Sequence, residues 1–239
     1  DAGSTVTLSN VEISNNTAPN GIIRSVGDVN IVADDATTSI ADNIADDIIY
    51  ITDADLNLNA KNNGKINLEG NINGHSYDLN IDGDGTGSID FNDTIKGAEN
   101  INFKGDTELH LGLDSRVYAN NMNNEMNTPA NLKLDMEVDR EHNTINTSKI
   151  YIENDISGDY SLIVNSLNEY KLDNLTDNAV AFLYALNDDP DTATNIEVSR
   201  IYGSPYMWKA VRNLKRSDKK GSTWYLSLYD SDRTVSPEV

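Results

Sequence analysis

Through the first half of the chain, apolar residues recur at every second position in short runs. Val6/Leu8, Val11/Ile13, Val29/Ile31, Ile49/Ile51, Leu56/Leu58, Ile66/Leu68, Leu79/Ile81, Ile89/Phe91, Ile101/Phe103 and Leu109/Leu111/Leu113 are such pairs and triplets. A period of two predicts strands with one buried and one wet face. The segments between them, "NNGK", "NING", "DGDGTG" and "KGD", are built from Asn, Asp and Gly. These residues accept positive φ and turn the chain without strain.

From Leu56 onward the strands start at Leu56, Ile66, Leu79, Ile89, Ile101 and Leu109. Two all-β architectures fit that spacing. An antiparallel β-sandwich has turns at intervals of about 8–12 residues, and "NNGK" at 62–65 resembles a hairpin turn. A parallel β-helix has repeats of about 20 residues or more, and the same steps are then half-repeats. The exposed strand positions are rich in Asn, Asp and Thr, as a solenoid requires, and Asn at corners can stack in ladders. The β-helix is the expected fold, with the sandwich as the alternative.

The second half reads differently. "DNAVAFLYAL" (177–186) is a continuous apolar run, either a short helix capped by Asp177 or a strand buried on both faces. "NNMNNEMNT" (120–128) is polar and of low complexity, and marks the expected boundary between residues 1–130 and 131–239. Between positions 1 and 60 the only base is Arg24. Arg200, Lys209, Arg212, Lys215, Arg216, Lys219 and Lys220 crowd one later stretch.

Composition narrows the function classes. The 239 residues carry 39 acids against 18 bases, a formal charge of −21, and hydrophobic residues make up a lean 38%. Phosphate neutralisation needs an excess of Lys and Arg, so no nucleic-acid partner is expected. Such charge often accompanies disorder, but the regular apolar period argues for a folded chain. With no cysteine there is no disulfide, thiolate metal site or thiol nucleophile. No apolar run reaches the roughly 18–20 residues of a membrane-spanning helix.

The order of segments from Asn131 to the end is specific. The strands "NLKLDMEVD" (131–139) and "INTSKIYIEND" (145–155) come first. A Ser-Gly turn and strand, "ISGDYSLIVNS" (156–166), follows, then "AVAFLYAL", "IEVSRIYGSPYMWKAV" (196–211), the polar loop "SDKKGS" and a final "TWYLSL". This order resembles the C-terminal part of autotransporter passenger domains of the pertactin kind, with Gly158, Tyr160, Gly203, Tyr206 and the Trp224-x-Leu226 pair at matching positions. The likeness covers about the last two-fifths of the chain. It implies a right-handed parallel β-helix and export across a Gram-negative outer membrane. It also implies a C-terminal β cap that folds first as an intramolecular chaperone. A membrane β-barrel normally follows in that family. None is legible here, so the implied barrel partner is expected to be cleaved off or to lie outside this piece.

A solenoid end exposes an apolar cross-section, which an atypical terminal unit must cover. Trp224 suits that role because one indole buries a large area, and Trp208, next to Tyr206 and Met207, is expected on a neighbouring strand.

Candidate chemistry is sparse. Asn80, Asp82 and Asp84 alternate ahead of Gly85 as in a calcium loop, but Phe91 stands where the bidentate Glu belongs. A Gly-Asp turn is the expected reading, with no metal and no cofactor. Gly85 also occupies the place a serine-protease nucleophile would take. His75 is expected on a loop, His110 facing water and His142 in a charged turn, with no Ser-His-Asp spacing among them. The acidic stretch "DDATTSIADNIADD" (34–47) could supply the carboxylate pair of a carbohydrate-cleaving enzyme. The expected function is a non-catalytic surface passenger. Such a stalk, adhesin or self-association module would meet a host or bacterial surface ligand, or a second copy of itself.

Overall fold

The computed structural model describes residues 4–139, 141, 144–168, 179–188, 194–203, 207–214 and 221–228. Every regular element among them is a strand, and all 21 join one hydrogen-bonded sheet. The first nine strands come in three sets of three: β1 (Val6–Ser9), β2 (Glu12–Ile13) and β3 (Ile23–Ser25); β4 (Val29–Asp34), β5 (Thr37–Ile40) and β6 (Ile49–Thr52); β7 (Leu56–Lys61), β8 (Lys65–Glu69) and β9 (Ile72–His75). Longer strands then bend from one position to the next: β10 (Tyr77–Asn92), β11 (Thr94–Phe103), β12 (Asp106–Leu111), β13 (Arg116–Asn124) and β14 (Ala130–Asp139). The remainder are β15 (Thr144–Thr147), β16 (Lys149–Ile152), β17 (Ile156–Ser166), β18 (Ala179–Ala185), β19 (Thr194–Tyr202), β20 (Trp208–Leu214) and β21 (Ser222–Leu228).

The pairing sorts these strands into three parallel ladders. The first runs β1–β4–β7–β10–β11–β13–β17. The second runs β2–β5–β8–β10–β12–β14–β17–β19. The third runs β3–β6–β9–β11–β13–β16–β18. The chain visits them in the same order each time, so a strand meets its partner one visit later. Among the described residues, antiparallel pairing is confined to β14 with β15, β18 with β21, and β20 with β21. An antiparallel sandwich is therefore not the arrangement of residues 6–124.

The alternation read in the sequence sets what faces inward. Val29, Leu56, Leu79 and Ile101 are successive partners on the first ladder, and all are buried. On the third ladder Ile49, Ile72, Ile95 and Val117 form a second buried column. Ile66, Ile89, Leu109, Leu132 and Leu162 form one on the second. Each such aliphatic side chain contributes about 1.5–3 kcal/mol through its burial, so each layer is stabilised by its two neighbours. Pairing continues without a break across residue 130, through β12, β14 and β17.

The turns explain the Asn and Asp content. Asp35, Asn62 and Gly85 take left-handed backbones at successive copies of one corner (φ 50, 52 and 85°). Asp53, Ser76 and Gly97 do so at another (φ 51, 51 and 80°). Apart from Gly, short polar side chains tolerate this conformation best. The "NNGK" turn does close, with Asn62 and Asn63 left-handed and the Gly64 N–H donating to Lys61 O at 2.8 Å. Yet its flanking strands β7 and β8 part to different ladders instead of forming a hairpin. A Cβ on Gly64 would lie 2.2 Å from Ala33 O in the layer beneath, so the bend presses on its neighbour where a hairpin tip would stand free.

Candidate functional site

Three arrangements of side chains stand out above the regular layers. The first is the C-terminal closure. The apolar run 179–185 is β18, a strand with Val180, Phe182, Leu183 and Ala185 buried. It ends the third ladder, and β21 pairs with it in the opposite direction, setting Leu226 against Val180 and Trp224 against Leu183. β20 then pairs with β21, setting Arg212 against Trp224. Trp208, Trp224 and Leu226 are thus buried on adjacent strands.

The other residues of the expected cap lie elsewhere. Gly158 and Tyr160 sit on β17, which crosses from the first ladder to the second. Gly158 has φ 88°, and a Cβ there would fall 2.8 Å from the Asn124 Cβ. The Tyr160 ring is buried edge-on to Phe103, centroids 5.8 Å apart, and its hydroxyl donates to Ser157 O at 3.0 Å. Burial pushes its phenol up, away from ionisation. Gly203 follows β19 with φ 67°. Tyr206, Asp177, His142 and the bases Lys215, Arg216, Lys219 and Lys220 lie outside the described residues.

The closure contains a charged pair that the sequence did not reveal. Asp188 is 1% exposed, and its Oδ2 accepts from Arg212 Nη2 and from Ser222 Oγ, each at 2.5 Å. The Arg212 guanidinium also lies over the Trp224 ring, 5.8 Å from its centroid. Arg212 belongs to the basic stretch, but here it is a partner of a buried carboxylate. In chain order the two are 24 residues apart, so neither residue marks the other.

The second arrangement is a charged row on the outer side of the second ladder. His110 does not face open water. Its ring nitrogens are 3.0 Å from Asp90 Oδ1 and 2.8 Å from Asp135 Oδ1, carboxylates contributed by the strands on either side. Asp90 also pairs with Lys65, and Asp135 accepts from Asn165 at 2.6 Å. Burial works against the imidazolium, but the bonds to Asp135 and Asp90 outweigh it and push His110 up to about 9. Burial likewise works against the Asp90 carboxylate, and His110 and Lys65 overcome it, bringing Asp90 down to about 2. Asp135 is lowered too, its burial being outweighed by His110 and Asn165. With both imidazole nitrogens engaged, this row locks charge in place and presents no free base.

The third arrangement is a row of stacked rings on the third ladder. Tyr118, Tyr151 and Tyr184 lie face to face, with centroids 4.9 and 5.0 Å apart and planes within 8° and 6°. Beside the first ring is an open cavity of about 360 Å³, bounded also by Gly74, Gly97, Glu99, Asn120 and Glu153. Asn120 Nδ2 donates to Glu99 Oε2 at 2.7 Å, and Ser76 Oγ donates to Glu99 Oε1 at 3.4 Å. The sequence carried a signal for this row. The triplets Val-Tyr-Ala (117–119), Ile-Tyr-Ile (150–152) and Leu-Tyr-Ala (183–185) recur at an even spacing, and each places Tyr between two inward positions.

The remaining candidates resolve into turns and ladders. Asn80 is one rung of an amide row, Asn57–Asn80–Asn102–Asn123, joined by Nδ2-to-Oδ1 bonds of 2.8 to 3.0 Å. Asp82 accepts from Asn59, and Asp84 from Thr86 and the Asn62 N–H, so these carboxylates are engaged by the neighbouring layer and their own turn. Among the described residues no group of three or more His, Asp or Glu is placed to hold a metal ion. In the acidic stretch, Asp35 and Asp42 are exposed turn residues with φ 50 and 54°. Asp47 is raised by partial burial, against a hydrogen bond with Asn73. His75 ends strand β9, near Asp53, rather than lying in a loop.

Compared with protein-family models, with curated proteins and with solved structures, the chain matches none.

Proposed function

We propose that the chain is a right-handed parallel β-helix serving as a non-catalytic, surface-exposed passenger of the autotransporter kind. Its segment after about residue 131 is the cap that nucleates folding during export. The observation that carries this reading is the change of pairing at the end of the third ladder. Parallel layers repeat up to β18, and β21 and β20 then close the ladder antiparallel with Trp208, Trp224 and Leu226 buried. A parallel ladder left open is a template for further strands, and an antiparallel pair ends that repeat. A solenoid of nearest-neighbour layers can grow stepwise from one stable end, which suits a chain threaded outward from its C-terminal side. The amide row and the long polar corners favour a load-bearing shaft over a catalytic groove. The exposed turn positions of Asp35 and Asp42 likewise give the carbohydrate-cleaving alternative little support.

The reading is tested by joining the chain to an outer-membrane barrel behind a secretion signal and following its exposure on Gram-negative cells. The wild-type chain should reach the surface and resist protease. Trp224→Ala should reach it more slowly, with the chain held at the periplasmic side. Equal display of both chains, or failure of the wild type to appear at all, would contradict the passenger reading.

A further inference from the structure

The stacked tyrosines end in the open. On the N-terminal side of Tyr118 the third ladder has an irregular register, and two residues of β11, Lys96 and Gly97, face one of β13. Gly97 brings no side chain toward the ring, and its left-handed backbone (φ 80°) would set a Cβ 2.1 Å from Gly74 O. The space is therefore fixed by the backbone and cannot be filled by a ring or an aliphatic group at that position. Tyr118 is left 40% exposed, whereas Tyr151 is sandwiched between two rings. Alongside runs a row of hydrogen-bonding groups, Ser76, Glu99 and Asn120, already linked to one another.

We propose that this cavity binds a neutral saccharide, with the apolar C–H face of one sugar ring on the Tyr118 ring and its hydroxyls hydrogen-bonded to Glu99 and Asn120. The negative face of an aromatic ring attracts polarised C–H groups. A carboxylate accepts from two neighbouring hydroxyls, and a primary amide both donates and accepts. Sugars present both kinds of surface, and the cavity wall offers the ring to one and the polar row to the other. Glu99 and Glu153 on the cavity wall, which also carries His75, disfavour uronic, sialic and sulfated sugars within a chain of net charge −21. A volume of about 360 Å³ falls within the roughly 300–1,000 Å³ of small-ligand sites and takes one or two sugar rings. Tyr151 and Glu153 extend the wall along the ladder, which favours an oligosaccharide over a single sugar. The site stands independently of the passenger reading, since it depends on the ring and the polar row and not on export.

The test is a titration of the purified chain, followed by NMR, with cellohexaose, maltohexaose, mannohexaose and chitohexaose, and with oligogalacturonate as the anionic control. At least one neutral oligomer should bind with a Kd of roughly 0.1–1 mM. Tyr118→Ala should weaken that binding about tenfold or more, as should Glu99→Ala, while Tyr118→Phe should stay within about threefold. Oligogalacturonate should not compete. Thermal melts of each variant separate loss of the site from loss of the fold, and Glu99→Ala keeps the test decisive if Tyr118→Ala does not fold. The proposal is overturned if no neutral oligomer binds, if the folded Ala variants bind as the wild type does, or if the anionic oligomer binds best. None of these outcomes bears on surface display.

Discussion

Residues 6–124 and residues 144–228 use the same strands in different ways. In the first region every pairing is parallel and the layers are near copies. Amide bonds link Asn57, Asn80, Asn102 and Asn123 at separations of 23, 22 and 21 residues. In the second region the repeat lengthens, with Val117, Ile150 and Leu183 as successive partners on the third ladder. Antiparallel closure replaces stacking, two buried indoles lie on adjacent strands, and the buried Asp188 carboxylate pairs with Arg212. Equal layers share stability among many small contributions. An end has a neighbour on one side only and must concentrate its stability in a few residues. Single substitutions should therefore cost more at the closure than in any one layer.

The sharpest way to break this contrast is at Trp224. Truncating a buried indole costs about 3–5 kcal/mol through lost burial and the cavity left behind. Trp224→Ala should destabilise residues 144–228 by that amount and leave residues 29–111 nearly unchanged, as read by limited proteolysis with mass-mapped cleavage sites. Next in size is Asp188→Ala, which removes a buried carboxylate from the half-buried Arg212 guanidinium. Breaking a buried pair from one side costs about 3 kcal/mol or more, and the urea midpoint should fall accordingly. The double change Asp188→Ala with Arg212→Met should recover a large part of the loss.

A single rung of the amide row should matter less. Asn80 bonds both Asn57 and Asn102 within the buried part of the first ladder. Asn80→Ala leaves two amides short of one partner each, a cost of about 1–2 kcal/mol, measurable by chemical denaturation. If it equals the cost of Trp224→Ala, the two regions do not differ as described.

The smallest effect is a pH dependence. His110 is held above its unfolded pKa, so its contribution is complete below about pH 6.5 and is lost as pH rises through about 9. Asp90 is held below its unfolded value, so its contribution is present above about pH 3.8 and is lost as pH falls through about 2. The charged row is fully stabilising between about pH 4 and 6.5. Because these groups are partly solvent-screened, the loss between pH 6.5 and 9 should be about 1 kcal/mol. Thermal melts at the two pH values should show it in the wild type and not in His110→Asn.

The inward positions were legible because a period of two needs no knowledge of the partner strand. Leu56, Ile66, Leu79, Ile89 and Ile101 were read as core and are buried. The turn chemistry was legible for the same local reason, since Asn62, Asn63 and Gly85 announce left-handed backbone. What lay outside sequence reasoning was contact across layers. His110 was expected to face water between Leu109 and Leu111, but it is enclosed by Asp90 and Asp135, which are 20 and 25 residues away. Arg212 read only as one of a crowd of bases, because nothing local marks Asp188 as its partner. The Asn run at 120–124 read as low complexity, yet Asn120, Asn121 and Asn123 each bond an Asn or Glu one layer below. Composition describes such a segment as a linker, and only the register makes it a set of rungs.

The closure should be the most stable unit of the chain, and native-state hydrogen exchange by mass spectrometry reads this directly. In the wild type, peptides covering 150–165, 180–187, 208–214 and 222–227 should exchange last, after those covering 29–111. In Trp224→Ala the first group should become faster, with the second nearly unmoved. If the peptides of 29–111 are the slowest in the wild type, and the closure opens first whether or not Trp224 is present, the closure is not the anchor of the stack.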